Sequence, residues 1–272
     1  MNNEIFQRIL KQIKSAYSYW GFRFFIRPTD TFIVSYPKSG TTWLSFLVAN
    51  ILKDDLTVLN LKNSINYIPD INKVYLKRKG YLHGSLKTFN QMQSPRIFKV
   101  HSPYDPLLKK VIYVLRDPRD VMISYWHYQR MCNKNFFLDL KSFIELDDIW
   151  PCRWDSHVAG WLNAPNKTNI LFVYYESLKQ NPEYCLKKVL DFIGITYGNK
   201  QISTAIKSSS FKSMQTLEDR YGTSEKLQNR QERFVRKGLA GGWKQELDAE
   251  SLLSLEAKFA KEMQRAGYRL ST

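Results

Sequence analysis

Short runs of β-branched and aromatic residues alternate along this chain with longer segments in which apolar side chains return every three or four positions. The runs at Thr31–Ser35 (TFIVS), 96–100 (RIFKV), 111–115 (VIYVL) and 170–174 (ILFVY) predict strands. The third is apolar from end to end, the pattern of a strand covered on both faces. Over Thr41–Leu52, the positions Trp43, Leu44, Leu47, Val48 and Ile51 form one helical stripe. Asp117-Pro118 opens a second helix running to about residue 131, with proline in the first turn, where its missing N–H costs nothing. Pro182–Ile193 and Ala249–Arg265 read as amphipathic helices. Strands separated by helices predict an α/β fold with a mostly parallel central sheet flanked by helices. Ligands of such sheets sit beyond the carboxyl ends of the strands, so function is sought in the segments that follow them.

Near the N-terminus Ile5, Phe6, Ile9, Leu10 and Ile13 recur at helical spacing with Arg8, Lys11 and Lys14 between them. Residues 1–27 are therefore expected to form an amphipathic helical segment packed on a single domain at 28–272; a membrane surface is the alternative seat for such a face. No apolar run is long enough to span a bilayer, and no signal-peptide pattern is present. Composition adds little until charge is counted: 272 residues are 43% apolar and 24% charged, but the formal net charge is +16. Such a chain attracts polyanions, whether nucleic acid, acidic lipid or a multiply phosphorylated small molecule. Its cysteines, Cys132, Cys152 and Cys185, have neither disulfide nor zinc spacing, which suits a reducing, cytoplasmic compartment and a site without metal.

Three of the predicted strands end in unusual clusters. The first is SYPKSGTTW, residues 35–43, between strand and helix. A helix start offers backbone N–H groups to an anion, Gly40 admits close approach, Lys38 adds charge, and Thr41 and Thr42 add hydroxyls. It lacks the GxxxxGK[ST] order of an ATP-binding loop, and a plain strand-to-helix turn is the other reading. The second pairs Arg116, leaving a buried strand, with Ser124 two turns into the next helix; the guanidinium suits a phosphate or an internal bridge to Asp117 or Asp120. Arg119 reads as a solvated helix residue. The third is Lys99-Val100-His101, whose alternation puts Lys99 and His101 on one face. Farther on, Arg236-Lys237-Gly238 reads as a phosphate clamp or as a solvated loop. The basic residues cluster at loops and form no continuous stripe, which argues against a nucleic-acid partner.

These segments together resemble the cytosolic sulfotransferases that use 3′-phosphoadenosine 5′-phosphosulfate (PAPS), a family with a P-loop-like fold. Residues 35–43 resemble the 5′-phosphosulfate loop, 111–128 (VIYVLRDPRDVMISYWHY) the 3′-phosphate segment, and 236–244 (RKGLAGGWK) the C-terminal nucleotide loop. The resemblance implies that Lys38, Ser39, Gly40, Thr41 and Thr42 hold the 5′ end of PAPS, and that Arg116, Ser124, Arg236, Lys237 and Gly238 hold its 3′-phosphate. It implies further that Trp43, Tyr175 and Phe211, with Ser209, hold the base. His101 would be the general base, with Lys38, Lys99 and Ser124 beside it in the catalytic set. His83, His127 and His157 read as structural. Gly242 stands where the family usually has Asp before Trp, a departure expected to loosen that loop. The acceptor would be a small molecule, possessing a hydroxyl or an amine, with a lean toward a polar natural product. Its pocket would draw on residues 60–95, 130–155 and 218–235, with their aromatics Tyr67, Tyr75, Tyr81, Phe89, Phe136, Phe137, Trp150 and Tyr221, and with Tyr104 and Trp126 flanking the catalytic motifs; the nearby acids Glu145, Asp147, Asp148 and Asp155 read as a solvated helix end, with a cationic or polyhydroxylated acceptor as the alternative. The family's C-terminal dimer motif is altered at Asp248, Ala249 and Leu253, so a monomer or a dimer built on a different surface is expected.

Overall fold

The computed structural model describes residues 22–54, 56–74, 92–223, 225, 228 and 232–271. Strands β1 (Thr31–Ser35), β2 (Ile97–Val100), β3 (Lys110–Leu115) and β4 (Asn169–Tyr174) form one parallel sheet in the order β2-β1-β3-β4. Phe32 lies opposite both Phe98 and Val111, and β4 stays in step with β3 from Lys110 and Asn169 to Leu115 and Tyr174. The chain leaves β1 on one side for β2 and crosses to the other side for β3. That reversal opens a crevice at the carboxyl end of β1.

The helices are α1 (Thr41–Leu52), α2 (Ile71–Val74), α3 (Pro118–Cys132), α4 (Leu140–Glu145), α5 (Trp154–Leu162), α6 (Tyr175–Gln180), α7 (Pro182–Ile193), α8 (Asn199–Ser208), α9 (Phe211–Tyr221) and α10 (Ala249–Arg265), with 3-10 turns at Asn63–Asn66 and Gly242–Gln245. Alternate strand residues feed two separate cores. Phe32, Val34, Phe98, Val100, Val111 and Tyr113 pack against α3, α4, α5 and α10 through residues such as Met122, Ile144, Trp161 and Phe259. Ile33, Ile97, Ile112 and Val114 pack against α1, α7 and α8 through Leu47, Leu190 and Ile202. The period of two along each strand thus gives both faces an apolar cover.

The strands, α1, α7 and α10 stand where the hydrophobic pattern put them, with ends shifted by at most one residue. The shorter helices left no such trace. Of ten residues in α8 only Ile202 and Ala205 are buried, too few for a periodic stripe. The apolar stripe from Ile5 to Ile13, like His83, lies outside the described residues. Where the description begins, Phe22 is fully buried against Phe98 at 4.9 Å between ring centroids.

A buried ion pair fixes how β1 and β2 start together. Arg96 Nε donates to Asp30 Oδ1 at 2.7 Å, and its Nη2 donates to Asp30 Oδ2 and to the Phe25 carbonyl oxygen. Neither side chain is exposed. Asp30→Ala leaves a buried guanidinium without its counter-charge and should cost about 3–5 kcal/mol in urea denaturation. Replacing both residues by apolar ones of similar size should cost less than the single change; the reverse order would show that the pair does not carry this junction.

Candidate active site

The site grows from the loop after β1. Between Ser35 and Thr41 the chain passes through two positive-φ residues, Lys38 at 70° and Gly40 at 100°. Gly40 is constrained twice, since a Cβ there would also lie 2.5 Å from Cδ2 of Tyr175. Lys38 is the one described residue other than glycine in this region, a conformation that costs on the order of 1–3 kcal/mol. No side chain caps the first turn of α1 and no acid stands in it. The start of α1 is therefore an electropositive end with N–H groups to offer. Ser35 and Thr41 hydrogen-bond through their hydroxyls across the base of the loop.

Three other groups are tied to this loop. His101 Nδ1 lies 2.8 Å from the Ser35 carbonyl oxygen. A carbonyl only accepts, so Nδ1 carries the proton and the neutral ring presents its lone pair at Nε2. The His101 N–H donates to Asn72 Oδ1 at 3.2 Å, and Trp150 meets the ring edge-on at 5.9 Å. Lys99 Nζ donates to Thr42 Oγ1 at 3.1 Å and lies 3.3 Å from Asp70 Oδ2. The shared strand face expected for Lys99 and His101 stops with the pleat at Val100: Lys99 turns toward α1, and His101 toward Ser35 and Trp150. Arg116 spans two loops, donating from Nη1 to the Lys38 carbonyl oxygen at 3.1 Å and from Nη2 to that of Leu239 at 2.8 Å. Its guanidinium lies 4.2 Å from the centroid of Tyr175, which opens α6 after β4.

Asp120 is 3.7 Å from Arg116, whereas Asp117 belongs to Arg119. This corrects the sequence expectation for Arg119. Instead of meeting solvent, it is buried between Asp117, Glu256 and the Trp243 ring, 4.0 Å from the ring centroid. Asp120 also corrects the expectation at Gly242. Its carboxylate accepts from the N–H groups of Gly241 at 2.8 Å and Trp243 at 2.9 Å, closing that turn from α3 with no aspartate at position 242. Burial raises the Asp120 carboxyl above its ordinary range, against the pull of Arg116.

The remaining expected residues gather around these. Lys38 Nζ sits between the rings of Tyr128 and Phe234, 4.4 and 4.3 Å from their centroids. Ser124 lies one turn before Tyr128 on the same face of α3. Trp43 Nε1 donates to the Ser209 carbonyl oxygen at 2.9 Å, and its ring meets Tyr175 edge-on at 5.7 Å. Ser209 Oγ accepts from Asn50 at 3.3 Å. The Phe211 ring is laid on Gly238, where a Cβ would approach it to 2.7 Å. Arg236 and Lys237 both bind Glu246, at 2.8 and 3.1 Å. Sequence reasoning missed Tyr128, Phe234, Asp70, Asn72 and Glu246; only Tyr128, a helical turn beyond Ser124, left a usable signal.

Other expectations fall outside the crevice. His157 is fully buried, shares a hydrogen bond with the Tyr113 hydroxyl at 2.8 Å, and has its pKa pushed down to about 3 by burial and by His101 nearby, so it stays neutral as a structural group. His127 lies between Glu232 and Glu246. Asp147 and Asp155 are engaged by Arg153, and Glu145 by Ser254. Tyr75, Tyr81 and Phe89 lie outside the described residues. Among the described residues no cluster of His, Cys, Asp or Glu is placed to hold a metal ion, and no helix is long and apolar enough to cross a membrane.

Known proteins share this fold. Mouse sulfotransferase 2B1 is 29% identical over 88% of this chain and 72% of its own length. Sulfotransferase 1A1 of the dog is 28% identical over 90% of this chain and 87% of its own. In structure, retinol dehydratase in complex with androsterone and inactive cofactor PAP superposes with a TM-score of 0.70 at 22% identity, covering 90% of this chain and 84% of that one. Mouse sulfotransferase SULT7A1 complexed with PAP does so with a TM-score of 0.66 at 24% identity, covering 88% and 86%. The sulfotransferase domain model matches residues 28–267, nearly the whole chain, and the protein belongs to the sulfotransferase family.

Proposed function

We propose that this protein moves the sulfuryl group of PAPS to a hydroxyl or amine of a small-molecule acceptor. The observation that carries the reading is that His101, Lys99 and Arg116, from two further strand ends, each hydrogen-bond to the short segment that joins β1 to α1, at the Ser35 carbonyl oxygen, the Thr42 hydroxyl and the Lys38 carbonyl oxygen. One anion at that loop is therefore within reach of a base, two ammonium groups and a guanidinium.

The residues fit the nucleotide. Arg116 Nε is buried with no hydrogen-bond partner, a donor left for an oxyanion. Gly40 and Gly238 each bring backbone against an aromatic ring, so the phosphate loops and the base slot share walls. In this reading the start of α1, with Ser39, Gly40, Thr41 and Thr42, binds the 5′ end. Arg116, Ser124, Arg236, Lys237 and Gly238 take the 3′-phosphate, and Trp43, Tyr175, Ser209 and Phe211 take the base.

PAPS supplies an activated S–O bond and a phosphate leaving group. His101 Nε2 takes the proton of the acceptor O–H or N–H as the bond to sulfur forms, while Nδ1–H keeps its bond to Ser35 and holds the ring in place. Lys38 swings from its aromatic cage to the oxygen that leaves sulfur and offsets its growing charge. Lys99, oriented by Asp70 and Thr42, faces the transferring group. The acceptor approaches from the Trp150 side of His101. A cytoplasmic setting, a polar acceptor and the absence of the usual C-terminal dimer contact complete the proposal.

Each assignment gives a measurable outcome. Arg116→Ala should weaken PAP binding by about 2–4 kcal/mol in calorimetry and adenosine 5′-phosphate binding by clearly less, the smaller loss reflecting the loop that Arg116 braces; equal losses for both nucleotides would take Arg116 away from the 3′-phosphate. His101→Ala should slow transfer at least ~10²-fold while PAP affinity holds; a tenth of the rate retained would end its role as base. Gly40→Ala, forced against Tyr175 at a left-handed φ, should lose nucleotide binding measured by the same titration. Binding unchanged in that variant would mean that the loop yields where this geometry says it does not.

A further inference from the structure

The two cations assigned to the 3′-phosphate already hold an anion supplied by the chain. Glu246 meets Arg236 with both oxygens, at 2.8 Å from Nη1 and 3.2 Å from Nη2, and lies 3.1 Å from Lys237 Nζ. His127 Nε2 is 3.5 Å from the same carboxylate. The backbone beneath Glu246 is fixed: Asp120 holds the turn at Gly241 and Trp243, and the Glu246 N–H donates to the Trp243 carbonyl oxygen at 3.1 Å. The carboxylate can therefore leave the cations only by side-chain rotation, and at 17% exposure it has solvent to rotate into. Burial alone would raise its pKa, yet hydrogen bonds and charge from Arg236 and Lys237 take it below its ordinary value.

We propose that Glu246 is an internal competitor of the 3′-phosphate, so that nucleotide binding exchanges one anion for another on Arg236 and Lys237. The proposal rests on the reading of those two residues as phosphate ligands. A phosphate brings more charge than a carboxylate and wins the exchange, but its apparent affinity is reduced by the fraction of molecules in which Glu246 still occupies the fork. On departure of the product nucleotide, Glu246 returns and covers the cations. It touches no reacting atom. It is a specificity-determining residue that sets how strongly the 3′-phosphate counts.

The test is a titration of the full chain with PAP and with adenosine 5′-phosphate, which lacks the 3′ group. Glu246→Gln should bind PAP about tenfold more tightly and release it more slowly in stopped flow, with adenosine 5′-phosphate changed less than twofold. Glu232→Gln removes one negative charge beside His127, 3.3 Å away, without freeing the clamp, and should leave the PAP preference where it was. Glu246→Asp keeps the charge on a shorter arm and should fall between wild type and Glu246→Gln; thermal melting of each variant checks that it is folded. Weaker or unchanged PAP binding in folded Glu246→Gln overturns the proposal, since the carboxylate would then be ordering the cations or doing nothing to them. Equal gains for both nucleotides also overturn it, as a general charge effect. If the unaltered protein binds PAP no better than adenosine 5′-phosphate, the phosphate reading itself fails and the competitor with it.

Discussion

The Arg116 guanidinium is the joint on which the site depends. It stands one residue past the end of the buried parallel strand β3 and is itself buried. Two of its nitrogens are spent on carbonyl oxygens, one from each loop that borders the crevice, and its face rests on Tyr175. A backbone carbonyl cannot move away as a side chain can. The loop after β1 and the loop around Leu239 are therefore held at a separation set by the width of one guanidinium. Its Nε is buried beside them without a hydrogen-bond partner.

Around this joint the protein carries several conflicts. Lys38 is held in a conformation that side chains avoid, and Asp120 is a carboxylate buried enough for its pKa to rise. Each is explained by what it holds. The left-handed turn at Lys38 presents its carbonyl to Arg116, and Asp120 closes the turn at Gly241 and Trp243 with two hydrogen bonds. Arg119, the residue before Asp120, pairs with Glu256 and ties the same helix start to α10. Local cost is thus exchanged for a rigid rim, the usual condition of a preorganised anion site.

The strands and the long helices were legible in the sequence because each buries a regular stripe, period two for β3 and near 3.6 for α7. The loops proposed for the phosphates stood out for another reason: an anion site needs glycine and cations at a strand end, and few other structures do. What could not be read is what depends on side chains from distant elements meeting. Nothing near Arg119 in sequence announces Glu256, 137 residues away, so a buried arginine looked solvated. The glycine at position 242 looked like a weakness because the carboxylate that closes this turn, Asp120, comes from α3. Asp70 and Asn72 lie in a segment without pattern, yet they steady Lys99 and His101.

The alternation of core residues through the sheet has one more consequence. The helices on the face of Ile33 and Ile112 carry Trp43, Ser209 and Phe211, whereas the opposite face packs Tyr104, Trp126 and Phe136 around α3 to α5. In the proposed reading the base slot and the acceptor pocket thus draw on different hydrophobic cores, while the 3′-phosphate, through Ser124 of α3, also draws on the second. In evolutionary terms the sheet is a firewall. A lineage can reshape one core for a new acceptor, accept the repacking that follows, and pass little of that disturbance to the slot proposed for the base.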